Sequence, residues 1–170
     1  MTSHSEVVFT LEDIILGAKH AELRNFESLH AGYTDRFMAT EVSPMQKLKK
    51  EVCGVLGEIA VMKFLGLKSA LRINGFKRDA DIGDDIEVRT IHRPDGCLVI
   101  RPNEDTLRRY ILVHVYDFKA KLLGWIPGYE GALEEYKSDP GNRGKPCWSI
   151  PQGRLYPMQD FDRRKHEQTA

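Results

Sequence analysis

Hydrophobic spacing divides this chain into a helical first part and a strand-rich remainder. From Thr10 the apolar positions Leu11, Ile14, Ile15, Ala18, Ala21 and Leu23 recur at helical spacing and lead on to Phe26 and Leu29. Thr10 with Asp13 makes a variant capping box at the start, and the pattern predicts an end near Gly32. Arg24 and Asn25 fall within this helix and are read as part of its solvated face, within reach of a phosphate. Residues 33–42 read as a connection. A second helix is better punctuated: Ser43 is the N-cap, Pro44 takes the first helical position, Gln46 completes the box, and Gly66 closes the element after Leu65. Its first turns are basic (Lys47, Lys49, Lys50), whereas from Val52 onward it is apolar nearly all round, which predicts a buried end.

Beyond it the period changes. Residues 78–90 have hairpin character, 97–101 read as a short strand after a turn at 92–96, and 110–118 as a long strand. A further strand over 122–126 follows a tight connection around Lys119-Ala120. Pro127 stops it, and 129–136 reads as a short helix. From Ser138 the composition turns to Pro, Gly, Arg and Lys, which predicts an irregular tail over 138–170, tied back to the core by Trp148-Ser149-Ile150 and Leu155-Tyr156. The order helix, helix, three or four strands, helix, tail predicts an α/β or α+β fold with a largely meandering sheet.

The stretch RDADIGDDIEVRT, residues 78–90, carries the chemistry. If Gly83-Asp84-Asp85 form a three-residue loop, Ile82 lies opposite Ile86, Asp81 opposite Glu87, Ala80 opposite Val88 and Asp79 opposite Arg89. One face is then Ala80, Ile82, Ile86 and Val88, and the other is Asp79, Asp81, Glu87 and Arg89. A two-residue loop would mix the faces, so the apolar pattern selects the register. Asp81 and Glu87 side by side would repel, and a divalent cation between them removes that objection. The competing reading is a solvated acidic turn leading into an edge strand. In the second helix Glu58 projects from an apolar surface of Gly54, Val55, Val61 and Met62, so its carboxylate needs a partner, a metal or a raised pKa. A nearby arginine is the structural alternative. Gly54 and Gly57 each cost about 1 kcal/mol inside a helix unless another backbone packs closely there.

Composition narrows the classes. With 170 residues, 41% apolar and 29% charged, the chain suits one globular domain, 1–170, with its core at about 43–136. It holds 25 Lys+Arg against 25 Asp+Glu, so there is no global electrostatic pull toward nucleic acid. No run approaches a membrane span, and Met1 to Glu6 lacks a signal-peptide layout. Cys53, Cys97 and Cys147 stand far apart and read as reduced thiols, which excludes a zinc site and suits the cytoplasm. His92, His114, Asp105, Trp125, Tyr129 and Trp148 read as incidental, capping or core residues. The basic groups Lys47-Leu48-Lys49-Lys50, Arg108-Arg109 and Arg163-Arg164-Lys165 are phosphate-contact candidates that, each taken alone, read as solvated patches.

A helix carrying GxxGE (Gly54 to Glu58), then Asp81, then Glu87-Val88-Arg89 on the next strand, resembles the PD-(D/E)XK nuclease superfamily. The stretches GEIAVMKFLGL, ADIGDDIEVRT and LLGWIPG are similar to small phage-type members, and the likeness covers roughly residues 50–130. It implies a restriction-endonuclease-like core with a central mixed β-sheet flanked by helices. It also implies a metal-dependent nuclease that hydrolyses DNA phosphodiesters, with RNA and a homodimer both admitted, in a bacterial cytoplasm and phage-encoded or not. Glu58, Asp81, Glu87 and Arg89 would form the catalytic set, with Asp81 and Glu87 ligating Mg2+ or Mn2+ and Glu58 completing the shell. The chain departs from the pattern at Arg89, where the family has lysine. Arginine stays protonated, so it orients phosphate or stabilises charge but is a poor general base, and either metal hydroxide suffices or another lysine, Lys63 or Lys77, swings in. The alternative is a non-catalytic nucleic-acid- or protein-binding module on a degenerate nuclease fold, with a structural Glu58–Arg89 pair.

Overall fold

The computed structural model describes residues 5–30, 43–67, 79–140 and 144–161. The expected helix end at Gly32, the connection over 33–42, Lys77 and the basic group at 163–165 lie outside them. The architecture is α+β, with a mixed sheet flanked by helices. Strand β1 (Ser5–Val8) precedes helices α1 (Leu11–His30) and α2 (Pro44–Phe64). Then come β2 (Ile86–Ile91), β3 (Leu98–Ile100), β4 (Arg109–Tyr116), β5 (Lys119–Pro127), the single turn α3 (Gly128–Gly131), β6 (Lys137–Ser138) and β7 (Cys147–Ile150). No described helix is long and apolar enough to cross a membrane.

Both helix starts follow local side-chain chemistry. Thr10 donates its backbone N–H to Asp13, and Asp13 donates its own to the Thr10 hydroxyl, so the variant box closes in both directions. Ser43 and Gln46 make the reciprocal pair at α2, and Gly66 at φ 67 turns the chain out after Leu65. The second half of α2, Val55 to Met62, is buried. In α1 the line that faces α2 is Ile14, Gly17, Ala21 and Arg24, whereas Leu11, Ile15, Leu23 and Phe26 are exposed.

The main sheet has the order β1-β5-β4-β2. Strands β2 and β4 run parallel, whereas β5 is antiparallel to both of its neighbours. The expected meander therefore holds only for the β4–β5 hairpin. Its turn is Asp117-Phe118, two residues before the expected place: Asp117 accepts φ 47, and the alternation runs unbroken through Lys119-Ala120-Lys121-Leu122. Ile111, Val113, Val115, Ala120, Leu122 and Trp125 pack under α2. The opposite faces of β4 and β5 carry Tyr110, Leu112, Leu123 and Ile126, and these pack on Leu98, Ile100 and Ile150 of a second sheet, ordered β3-β7-β6.

The segment after Ser138 is more regular than its composition suggests. Strand β7 pairs with β3 and β6, Ile150 is fully buried, and Tyr156 exchanges two backbone hydrogen bonds with Trp125. That last pairing fixes Gly124. It sits at φ 148 beside a bulge, and a Cβ there would meet the Tyr156 carbonyl oxygen at 2.7 Å. Gly57 is required by packing, since a Cβ on it would collide with Thr90 Oγ1 of β2. Gly54, expected to be packed against another backbone, instead has open space beside it.

Candidate functional site

The acidic stretch folds around the register that its apolar pattern selects. Ile82 and Ile86 exchange backbone hydrogen bonds of 3.1 and 3.3 Å across Gly83-Asp84-Asp85, and Ala80, Ile82, Ile86 and Val88 all enter the core. The first arm does not continue as a strand. Asp81, instead of facing Glu87 directly, turns its Oδ2 to accept the Val88 N–H at 2.8 Å. Like charges are thereby kept from direct opposition, and an edge donor gains an acceptor. Asp81 Oδ1 makes no hydrogen bond among the described residues.

Glu58 reaches this edge from the helix side. It is 4% exposed, and Arg24 of α1 holds it with two hydrogen bonds, Nη1 to Oε1 at 2.7 Å and Nη2 to Oε2 at 2.8 Å. The partner is thus Arg24, and neither a Glu58–Arg89 pair nor a solvated Arg24 is found. Burial pushes the Glu58 carboxyl up to about 7, against the pull of Arg24, and the charges of Asp81 and Glu51 act in the same upward direction.

Glu87 and Arg89, two residues apart on β2, point to the face covered by the second sheet. Glu87 Oε2 accepts from Arg89 Nη1 at 3.1 Å, and Oε1 accepts a short hydrogen bond from Arg108. Arg89 also donates to the Val99 carbonyl at 3.1 Å, pairs with Glu104 at 2.7 Å and lies 4.0 Å from Asp81 Oδ2, with its guanidinium 5.2 Å from the Tyr110 ring. Burial raises the Glu87 pKa and Asp81 raises it further, while Arg89 and Arg108 oppose both. Next to them Arg109 grips Asp85 at 2.7 and 3.1 Å and stacks on Phe161, with 4.2 Å between guanidinium carbon and ring centroid.

The Asp81 charge is felt by both Glu58 and Glu87, so the three carboxyls, from α2, the loop before β2 and β2 itself, form one electrostatic group. Among the described residues, no group of three or more His, Cys, Asp or Glu side chains is placed to hold a metal ion. Lys63 is engaged with Asp13 at 2.6 Å, and Lys77 is outside the described residues. Glu104 escapes sequence reasoning, and Arg24 and Arg108, named there as phosphate contacts, are read as solvated when they pair with Glu58 and Glu87. Arg24 left one signal, since it continues the helical line Ile14, Gly17, Ala21 that faces α2. The pair Arg108-Arg109, read alone as a solvated patch, sits against Glu87 and Asp85. Asp105 caps its turn by accepting the Leu107 N–H, Trp125 is core, and His92 and Tyr129 are exposed. No protein-family profile, curated protein or solved structure matches the chain.

Proposed function

We propose that this protein is a metal-dependent nuclease of the PD-(D/E)XK kind, with a restriction-endonuclease-like core, that hydrolyses DNA phosphodiesters. The observation that carries the reading is the set Glu58, Asp81 and Glu87. Two buried carboxyls, raised chiefly by burial, are each raised further by the charge of Asp81, so the three acids act on one another as one group. The donor chemistry fits Mg2+ or Mn2+: hard carboxylate oxygens, of which one or two suffice when substrate phosphate and water supply the rest. Asp81 and Glu87 would hold the cation, with Glu58 behind them. When bound, it supplies charge neutralisation and a more acidic water.

The protein's own groups divide the remaining work. Arg89 and Arg108 present permanently protonated guanidiniums beside Glu87, suited to orienting phosphate oxygens as the attacking water enters in line with the departing oxygen. Arg89 takes no proton. Glu58, near 7, is the acid whose proton affinity suits exchange with water at neutral pH.

A second reading has its own observation. Arg24, Arg89 and Arg108 already pair with Glu58 and Glu87, as in a non-catalytic binding module in which guanidiniums stand where a cation would be. The discriminating experiment is calorimetric titration with Mn2+ and Mg2+, beside cleavage of plasmid, short DNA and RNA, on wild type and Glu87→Gln. Metal uptake and cutting, both lost in the isostere, support the nuclease. Neither uptake nor cutting in the wild type leaves the binding module.

A further inference from the structure

A second feature lies on the same edge, beyond the carboxylates. Lys49 and Lys50 are exposed on the first half of α2, and His92 is exposed just past the end of β2. His114 of β4, paired in register with Ile91, lies beside them: its Nε2 is 3.2 Å from the His92 carbonyl oxygen, and its ring stacks on Tyr116 at 4.9 Å. Lys49, Lys50 and His114 all act on His92, whose imidazole is held below its ordinary pKa by burial and by these three neighbours, so the four residues form one cluster in which the lysines carry the positive charge and the imidazoles offer polar nitrogens.

Two rows connect the cluster to the acidic site. On α2, Lys50, Gly54 and Glu58 follow one another at four-residue intervals along one side of the helix, and Gly54 leaves open space between the two charged ends. On β2, Val88, Thr90 and His92 run alongside, as the contact of Gly57 with Val88 and Thr90 fixes. Thr90 Oγ1, buried beneath Gly57, has no hydrogen-bond partner among the described residues. Lys50 and Glu58 are separated along the helix axis by roughly 12 Å at about 1.5 Å per residue. Over that length one strand of a duplex carries three or four phosphates, at about 3.4 Å each.

We propose that the Lys49–Lys50–His92–His114 cluster seats the flanking phosphates of a DNA strand whose backbone runs along the Gly54 gap to the Asp81–Glu87 end. The proposal rests on the reading of that end as a phosphodiester site. It would give a chain of zero formal net charge a local attraction for a polyanion, through the two lysines at one end of the path.

The test uses the full chain with Lys49→Glu/Lys50→Glu, beside a control pair, Lys19→Glu/Lys137→Glu, that changes net charge equally elsewhere. Binding of a fluorescein-labelled DNA strand is read by anisotropy in chelator over a KCl series. Hydrolysis of a small diester, bis(p-nitrophenyl) phosphate, is read with Mn2+. The first pair should weaken DNA binding at least tenfold at about 100 mM salt and flatten the salt dependence by roughly two counterions, while small-diester hydrolysis stays unchanged. The control pair should leave binding within about twofold. Equal loss in both pairs, no loss in the first pair, or no DNA binding by the wild type overturns the proposal. If the small diester is not hydrolysed but the first pair alone loses DNA, the nuclease reading fails and the phosphate path stands.

Discussion

Glu58 offers the sharpest test of the electrostatics, because its carboxyl is almost wholly buried and its pKa lies far from that of an exposed glutamate. A pKa raised from 4.5 to about 7 means that the fold binds this proton more tightly than the unfolded chain does. The associated stability is fully present below about 4.5 and is lost as the pH rises through about 7. At about 1.4 kcal/mol for each pH unit, the whole loss is roughly 3 kcal/mol, of which about 2 to 3 kcal/mol falls between pH 5 and pH 8.5. Glu58→Gln keeps the shape and one acceptor for Arg24 but does not titrate. Other acids, Glu87 included, titrate in both proteins and cancel in the comparison. Urea unfolding followed by fluorescence, with Trp125 buried in the main core as reporter, should show wild type losing about 2 to 3 kcal/mol relative to Glu58→Gln over that range. A difference that stays flat with pH, or wild type gaining relative stability as pH rises, would refute the reasoning and mean that Arg24 outweighs burial.

Other expectations follow from single contacts. Gly124→Ala forces a side chain into φ 148 and onto the Tyr156 carbonyl, and should lower unfolding stability by about 2 kcal/mol or more in urea; equal stability would show that the Trp125–Tyr156 pairing is loose. Ser43→Ala removes one half of the α2 capping box and should destabilise by about 1 kcal/mol, with the midpoint shifted at constant slope. Arg89→Lys exchanges a planar fork bound by Glu87 and Glu104 for a single ammonium, and is expected to tighten Mn2+ uptake in calorimetry. Unchanged or weaker uptake would count against Arg89 occupying the cation's place.

The legible parts of this fold are those settled within a few residues. Ser43 and Gln46, Thr10 and Asp13, and the Gly83-Asp84-Asp85 loop each close on themselves over three or four positions, so sequence spacing suffices. The buried set Ala80, Ile82, Ile86 and Val88 was readable for the same reason, since alternation names a face without naming what covers it. The site's counter-ions were not readable. Arg24 and Glu58 are 34 positions apart, and Arg108 and Glu87 are 21 apart, so their meeting depends on helix packing and on the parallel pairing of β2 with β4. Once that pairing is known, the acidic pair Asp84-Asp85 before β2 and the basic pair Arg108-Arg109 at the start of β4 fall into place together. Strands β1 and β7 were missed because four residues give too little alternation, and around β7 a Pro- and Gly-rich stretch outweighed it.

Asp81 does something besides carry charge. Among the described residues β2 is the last strand of its sheet, and such a strand offers unpaired backbone donors to any extended segment of another molecule. By accepting the Val88 N–H, Asp81 closes one of those donors with a group that no incoming strand can displace without stranding an acid. Removing the carboxylate would therefore do two things at once: take a charge from the candidate site, and open an edge to self-association. Asp81→Asn, which keeps an acceptor for Val88, should remain monodisperse in light scattering where Asp81→Ala accumulates larger species on storage.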